Sequence, residues 1–211
     1  MDNNKTILHH HYRLFKPYGY LSQFGSNAKH EQKKKFISEL FPFENGTMPI
    51  GRLDEDSEGL LLLTTDGKLS DEINKGDTEK EYYLQVDGDI TDVAIKQLQK
   101  GVEIGFEGIK YNTQPSKVRK LDSIPEFPKR SKKIRDDRHG PTSWISVIIS
   151  EGKFRQVRKM TSAVGFPTLR LVRVRIGHHH LGTMQMAEVI KVEHEQAMDM
   201  IRNGAPFAGG E

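Results

Sequence analysis

Residues 51–67 read GRLDEDSEGLLLLTTDG and place four carboxylates directly before four consecutive leucines. The apolar run at 59–65 is too short for a typical buried helix, and it lies between a glycine and an Asp-Gly turn signal. A continuous apolar run of this length predicts a strand that is covered on both faces. Such a strand requires other elements on both sides of it, which strongly constrains the fold.

The carboxylates before this strand are candidates for catalysis. An Asp in a turn just before a buried strand is held by a rigid scaffold while its side chain faces a cleft, which suits a nucleophile or a base. Asp54 fits that description best. We expect Glu55, Asp56 and Glu58 to be solvated turn residues. The side chain of Asp56 or Ser57 would bond nearby backbone amides.

The rest of the chain predicts an α+β protein with a mixed sheet rather than a repeating βαβ pattern. Residues 10–19 are predicted to begin as a strand and to end in a turn. Aromatic and β-branched residues predict further strands at 59–65, 81–88, 144–150 and 169–177. Apolar periodicity predicts helices at 29–40, 91–101, 154–165 and 193–204.

Composition narrows the class of protein. The 211 residues are enough for one large domain or two small ones. The chain has no cysteine, which excludes disulfides and cysteine metal sites. It has no signal-like N-terminus and no apolar stretch as long as the roughly 18 residues of a membrane span. We therefore expect a cytoplasmic protein that does not cross a membrane.

The net charge of +3 is unevenly distributed. Residues 51–110 carry seven Lys or Arg and fifteen Asp or Glu, whereas residues 111–175 carry sixteen basic and five acidic residues. A basic segment of this kind is typical of a surface that meets phosphates. The alternative is a solvated basic face that binds nothing.

The proline-containing segment 123–143 has alternating charge and little to place in a core. Long ordered loops in compact domains are typically functional. We interpret this basic loop as an arm that contacts RNA or DNA, and a disordered tether is the alternative. Its cationic side chains are Lys129, Arg130, Lys132, Lys133, Arg135 and Arg138.

Two histidine triplets, at 9–11 and 178–180, raise the question of a metal site. Consecutive histidines point in different directions, and no acidic residue near them has ligand spacing. We therefore predict no metal. Trp144 is expected in the core or as a loop anchor rather than as a platform for base stacking.

The segment 51–67 resembles the signature of the pseudouridine synthases of the RsuA family, which act on ribosomal RNA. In that signature GRLD is followed by two variable residues and then by S-x-GLLLLT-x-DG, and every fixed position is present. The aspartate of GRLD is the family's essential catalytic residue. The resemblance therefore implies this role for Asp54.

Two further stretches are similar to family motifs and follow the family's order. KPYGYLSQF at 16–24 is similar to the first motif, a turn that packs beside the active site. EKEYYLQVDG at 79–88 resembles the strand that carries the family's active-site tyrosine. The resemblance places that tyrosine at Tyr82.

The segment EGKFRQVRKMTSAVGFPTLRLVRVRIG, at 151–177, resembles the third motif of the family. It implies that Arg158 is the basic partner of Asp54. The segments 141–160 and 164–173 are most similar to the RluE type of the family, which acts on 23S rRNA.

The family fold implies a single catalytic domain over 1–211, with its core at 9–203. Two half-domains would share a central mixed, mainly antiparallel sheet flanked by helices and loops. Some relatives begin with a small RNA-binding S4 domain, but the first motif here begins at Lys16, so we expect no S4 domain. The basic loop and a helix surface would then hold the RNA. The candidate substrate contacts are Arg52, Lys16, Lys129, Arg130, Lys132, Lys133, Arg155, Lys159 and Arg173.

The resemblance also implies the reaction, which isomerises a uridine already in RNA to its C5-glycoside without a metal or organic cofactor. The uracil must be flipped into a pocket. Tyr82 would stack on it and assist proton transfer at C5, unless Tyr82 only packs between strands. Asp54 would attack the ribose or the uracil ring, or remove the 2′ proton. Arg158 would keep Asp54 ionised, because desolvation alone raises a carboxyl pKa.

The expected partner is 23S rRNA or a precursor large-subunit particle, bound by a monomer. Two other functions stay open. One is a catalytically silent RNA-binding or ribosome-assembly factor built on the same fold. The other is a glycoside hydrolase that uses Asp54 with Glu58, and it would need the two carboxyl groups about 5 to 10 Å apart across a sugar.

Overall fold

A computed structural model of the protein describes residues 8–75, 78–106, 108–135 and 137–198. This part of the chain contains thirteen strands and four α-helices. The strands are β1 (His11–Lys16), β2 (Tyr20–Leu21), β3 (Lys35–Phe36), β4 (Met48–Ile50), β5 (Glu58–Thr64), β6 (Lys80–Asp87), β7 (Glu103–Phe106), β8 (Ile109–Asn112), β9 (Lys117–Lys120), β10 (Thr142–Ile149), β11 (Thr168–Ile176), β12 (His179–His180) and β13 (Val189–Val192). The helices are α1 (Gly67–Lys75), α2 (Asp92–Lys100), α3 (Gln156–Ala163) and α4 (His194–Met198).

A nine-stranded mixed sheet organises the fold. Seven of its strands follow the order β13-β1-β5-β11-β6-β10-β9, while β4 pairs with β5 and β12 pairs with β11. The β5–β11 pair is parallel, and the other pairs in this sheet are antiparallel. The predicted α+β class with a mixed, mainly antiparallel sheet is confirmed.

Strand β5 is covered on both faces, as its leucines predict. Leu60 and Leu62 join one apolar cluster with residues of α1 and β11, whereas Leu61 and Leu63 join another with residues of β1. All four leucines are fully buried. The alternation follows from the two-residue period of a strand, which sends successive side chains to opposite faces.

The parallel contact between β5 and β11 depends on Gly59. The register places Gly59 opposite Arg173. Gly59 has a φ of +104°, and a Cβ atom at this position would lie 2.3 Å from the carbonyl oxygen of Arg173. Only glycine accepts both the backbone conformation and this close approach. The residue therefore fixes how the two strands meet beside the Asp54 turn.

A third apolar cluster packs α2 and α3 against β6, β10 and β11. Helix α2 begins after Thr91, whose side chain accepts a hydrogen bond from the amide of Ala94, and it ends at Gly101. Both ends agree with the predicted helix at 91–101. The helices and strands predicted at 154–165, 81–88, 144–150 and 169–177 are also present, as α3, β6, β10 and β11.

The helix predicted at 29–40 is wrong. The segment contains two short 3-10 turns and strand β3, which pairs in parallel with β2. Only Ile37 is fully buried in it, so the apolar face that would stabilise a helix by packing is missing.

The sequence does not predict helix α1, because the Asp66-Gly67 pair is typical of a turn. The Asp66 side chain instead accepts hydrogen bonds from the amides of Lys68 and Leu69 and so caps the helix. Only the first part of the helix predicted at 193–204 falls within the described residues, as α4.

The division into two half-domains stays a prediction.

The helices in the described part of the chain are too short or too polar to span a membrane.

Candidate active site

The site is built on the turn that leads into β5. The amide of Ser57 donates to the carbonyl of Asp54 at 3.0 Å, which closes the turn. Ser22 holds the residue before it, because its hydroxyl donates to the carbonyl of Leu53 at 2.7 Å and accepts from its amide at 3.0 Å. Asp54 is thus anchored by backbone contacts on both sides, while its side chain remains 27% exposed.

Arg155 is the cation nearest to the Asp54 carboxylate. Its guanidinium lies 3.6 Å from an oxygen of Asp54 and makes two hydrogen bonds of 2.8 Å to the carboxylate of Asp56. Arg155 directly precedes α3 and has a left-handed backbone, with a φ of 52°. This conformation is uncommon for a residue with a side chain and is often found at functional sites.

Arg158 has a different position from the predicted one. Its guanidinium donates to the carbonyl of Asp56 at 2.8 Å and to the hydroxyl of Ser57 at 3.1 Å, and it lies 3.6 Å from the carboxylate of Asp56. The direct ion pair with Asp54 therefore comes from Arg155. Since Arg158 lies one turn further along α3, its side chain braces the backbone of the turn instead.

The two carboxylates of the turn have opposite pKa shifts. Burial raises the pKa of Asp54, and the charges of Arg155 and Arg158 oppose this only in part. Burial also acts on Asp56, but the hydrogen bonds from Arg155 and the charge of Arg158 hold its pKa below the usual value. Two carboxyl groups with separated pKa values are typical of acid–base sites. Asp54 is the more basic of the two, whereas Asp56 is engaged by the arginines.

Beneath the turn, Glu58 forms a buried ion pair with Arg170. The Arg170 guanidinium donates to both carboxylate oxygens of Glu58 at 2.8 and 3.0 Å, and Arg130 approaches the same carboxylate at 3.9 Å. Glu58 is completely buried, so the prediction that it is a solvated turn residue is wrong. A carboxylate in this position also cannot act as the second catalytic group of a glycoside hydrolase.

Lys16 is also buried, and the prediction that it contacts RNA is wrong. Its ammonium donates to the carbonyls of Ser57 at 2.8 Å and of Pro17 at 3.0 Å. It therefore ties the 16–24 segment to the Asp54 turn. Desolvation lowers the pKa of Lys16 to about 7, although the charge of Glu58 opposes the shift.

A cleft of about 360 Å³ opens beside this turn. Its lining residues are Tyr18, Gly19, Glu55, Asp56 and Arg155. The amide of Gly19 donates to the carbonyl of Glu55 at 2.8 Å, which holds the two walls together. The site thus combines the half-buried carboxylate of Asp54, two arginines that contact the turn and an open cleft large enough for a nucleobase.

Known proteins resemble this chain in sequence and in fold. Residues 10–163 match the family model described as RNA pseudouridylate synthase. The chain belongs to the RNA pseudouridine synthase family. It is 38% identical over 187 residues to ribosomal large subunit pseudouridine synthase E of Vibrio parahaemolyticus, covering 88% of this chain and 72% of the relative. It is 41% identical over 174 residues to the protein of the same name in Xanthomonas campestris, covering 82% and 89%.

A solved structure described as a pseudouridylate synthase shares the fold. It superposes with a TM-score of 0.71 at 24% sequence identity, covering 92% of this chain and 74% of that one. As a member of the family, the protein is an isomerase that makes pseudouridine in RNA.

Tyr82 of this pseudouridine synthase lies on β6, opposite Val147 of β10 and Arg173 of β11. Only 9% of the residue is exposed, and it belongs to the same apolar cluster as Leu53, which precedes Asp54. Tyr82 and the residue that precedes Asp54 thus belong to one apolar cluster. Its role in stacking and proton transfer stays a prediction, because packing between strands also accounts for its burial.

Two more of the predicted RNA contacts are largely buried. Arg173 is only 2% exposed and donates to the carbonyls of Leu60 at 2.7 Å and Arg52 at 3.4 Å, so the prediction that it contacts RNA is wrong. The side chain of Arg130 is 9% exposed, and its guanidinium lies 4.6 Å from the ring centre of Tyr18. It links the basic loop to the site rather than facing solvent.

The remaining predicted RNA contacts are accessible. Arg52, Lys129, Lys132 and Lys133 are exposed, while Arg155 and Lys159 are partly exposed. Their role in RNA binding stays a prediction.

The basic loop packs on the sheet and is not a loose tether in its described part. Phe127 contacts Tyr83 and Trp144, with ring centres 6.2 and 5.9 Å apart, and Arg170 lies over its ring at 5.4 Å. Trp144 is buried, so the expectation that it belongs to the core or anchors the loop is confirmed. Arg135 also hydrogen bonds to Asp87.

Sequence reasoning missed several residues that shape the site. Tyr18, Ser22 and Arg170 all lie inside family motifs, but their local sequence gives no sign of the contacts they make. Among the described residues there is no group of three or more His, Asp or Glu that could hold a metal. His11 instead contacts Thr64 at 2.9 Å and His194 at 3.1 Å, and burial lowers its pKa to about 4.

Proposed function

We propose that the protein converts a specific uridine of large-subunit (23S) ribosomal RNA to pseudouridine, with Asp54 as the group that starts glycosidic cleavage. The names of the Vibrio and Xanthomonas relatives support this choice of RNA. The observation that carries the role of Asp54 is its partly exposed carboxylate, 3.6 Å from Arg155, which lines the cleft beside the turn. A cytoplasmic monomer, expected from the sequence, belongs to the same proposal.

The reaction begins with recognition of the RNA. Exposed lysines and arginines, among them Lys129, Lys132 and Lys133, meet its phosphates and release counterions. The target uridine is stacked in the RNA and must be flipped out, which costs a few kcal/mol. Phosphate contacts offset that cost, and the flipped uracil enters the cleft beside Asp54.

Asp54 then breaks the bond between N1 of uracil and C1′ of ribose. The carboxylate either attacks the ribose or the uracil ring, or removes the 2′ proton. The uracil turns over while it is held in the site, and a new bond forms between C5 and C1′. Loss of the C5 proton and protonation of N1 complete an isomerisation in which no atom is gained or lost. We assign the stacking of the uracil and the proton transfer at C5 to Tyr82.

The arginines make an ionised Asp54 possible in a half-buried position. Without a nearby cation, desolvation would favour the neutral acid and remove the nucleophile. Arg155 supplies the direct charge, and Arg158 holds the backbone of the turn in place. This division suits a carboxylate that must be both ionised and rigidly oriented.

The proposed function is tested by pseudouridine-specific chemical mapping of large-subunit rRNA transcribed in vitro. The RNA is incubated with the wild-type protein, and rRNA incubated without protein is the control. Precursor large-subunit particles that lack the modification serve as a second substrate. We expect one new pseudouridine in at least one of the two substrates. Tight binding without any new pseudouridine in either would contradict the proposal and favour a silent RNA-binding factor.

A further inference from the structure

Phe154 is an exposed aromatic residue next to the candidate active site. It is 67% exposed. Every other phenylalanine, tyrosine or tryptophan whose side chain the structure describes is buried or partly buried. An isolated exposed ring of this size has no role in the apolar clusters of the fold. A single exposed apolar side chain is ordinary on a protein surface. What distinguishes Phe154 is the basic surface and the Asp54 turn beside it.

Phe154 is next in sequence to a residue that contacts the Asp54 turn. It immediately precedes Arg155, whose left-handed conformation lies at the start of α3. Arg155 in turn contacts both Asp54 and Asp56. The Phe154 ring therefore lies one residue away, along the chain, from the arginine that contacts Asp54.

The surroundings of the ring are basic. The Lys159 ammonium lies 5.4 Å from the centre of the Phe154 ring, and Lys153 on its other side in sequence is exposed. A second cleft, of about 530 Å³, lies along α3 and includes Arg155, Arg158 and Lys159 in its wall. The acidic residue in that wall, Glu103, is paired with Lys110 at 2.9 Å.

Arg155 lines both this cleft and the 360 Å³ cleft beside Asp54. A strand of RNA with its uridine in the first cleft can therefore continue past Arg155 towards Phe154. An exposed ring beside cations is typical of proteins that stack the bases of single-stranded RNA.

We propose that Phe154 stacks on a nucleobase adjacent to the flipped uridine and so helps to select and hold the RNA. The proposal rests on the proposed function, since it requires an RNA substrate. Stacking of one base on an aromatic side chain changes affinity by roughly five- to a hundredfold. The contact is made before the chemical step, so it contributes to binding and not to the rate of bond cleavage.

The test uses a short RNA that contains the mapped uridine, with 2-aminopurine at either neighbouring position. Binding and fluorescence quenching are measured for wild type, Phe154→Ala and Phe154→Tyr. Val93→Ala is the matched control, because Val93 is an equally exposed apolar residue, at 68%, on α2. We expect roughly tenfold weaker binding for Phe154→Ala, a raised KM and an unchanged kcat. Phe154→Tyr and Val93→Ala should behave as wild type.

An RNA with an abasic site at the neighbouring position completes a double-mutant cycle. We expect wild type to lose affinity for this RNA while Phe154→Ala loses none. Wild-type conversion of uridine together with unimpaired binding by Phe154→Ala would overturn the stacking proposal alone. A loss of affinity that does not depend on the neighbouring base would also overturn it and favour contact with a protein partner. A wild-type protein that neither binds nor converts RNA would overturn this proposal and the proposed function together.

Discussion

The cations of this protein fall into two sets that the sequence does not distinguish. Lys16, Arg170 and Arg173 lie buried beneath the Asp54 turn, where they contact carbonyl groups or Glu58. Lys129, Lys132 and Lys133 lie exposed on the basic loop. We call the first set the buried cations and the second the loop lysines. Basic residues of a family motif can therefore lie beneath the site and stabilise it, rather than contact the RNA.

The largest expected effect concerns the buried cations. Arg170→Met leaves the buried Glu58 carboxylate without its two hydrogen bonds, and we expect a loss of about 3–5 kcal/mol in the free energy of unfolding. The same substitution in a loop lysine, Lys132→Met, should change stability by about 0.5 kcal/mol or less. Urea unfolding at neutral pH compares the two variants. Equal stability of both would contradict the distinction between the two sets.

The next effect concerns RNA binding by the loop lysines. Reversing the charges at Lys132 and Lys133 together should weaken RNA binding and lower the slope of log affinity against log salt by about two, because each lysine would no longer neutralise a phosphate. Folding should be unaffected. Lys96→Glu with Lys100→Glu, on the exposed side of α2, is the matched control. Affinity and slope that match the wild type would exclude the basic loop as an RNA contact.

The smallest effect concerns Arg155. Its side chain is partly exposed, so it belongs neither to the buried cations nor to the loop lysines. Its charge lowers the pKa of Asp54, so removing it in Arg155→Gln should raise that pKa further. Since the proposed mechanism needs the ionised carboxylate, the acid limb of the pH–rate profile should move to higher pH. Single-turnover rates at saturating enzyme separate this shift from weaker binding. Arg155→Lys should keep the wild-type limb, and a limb that moves to lower pH in Arg155→Gln would contradict the assignment.

Much of the fold could be predicted because its signals are local. The leucines of β5, the capped helix α2 and the apolar runs of β10 and β11 each carry a period or a boundary that can be recognised within a few residues. The 29–40 segment was mistaken for a helix because spacing alone does not reveal whether a face will be buried. Helix α1 was missed because an Asp-Gly pair serves equally well as a turn and as a helix start.

The site could be predicted only in part. The place of Asp54 follows from a turn before a buried strand, together with the family motif. The burial of Glu58 and Arg173 follows from the parallel pairing of β5 with β11, which joins distant parts of the chain. No local pattern encodes that register. The contacts of Arg155 with Asp54 and of Arg158 with the carbonyl of Asp56 also join distant parts of the chain, and no local pattern assigns each arginine its partner.

The most direct test of the account compares RNA affinity and single-turnover rate in wild type and Asp54→Asn. The substitution keeps the size of the side chain but removes the negative charge of the proposed nucleophile or base. We expect affinity for the RNA to stay within about twofold while the rate falls by at least about 10²- to 10⁴-fold, the range typical for loss of a catalytic acid or base. An Asp54→Asn protein that still forms pseudouridine at a rate close to wild type would contradict the central role of Asp54.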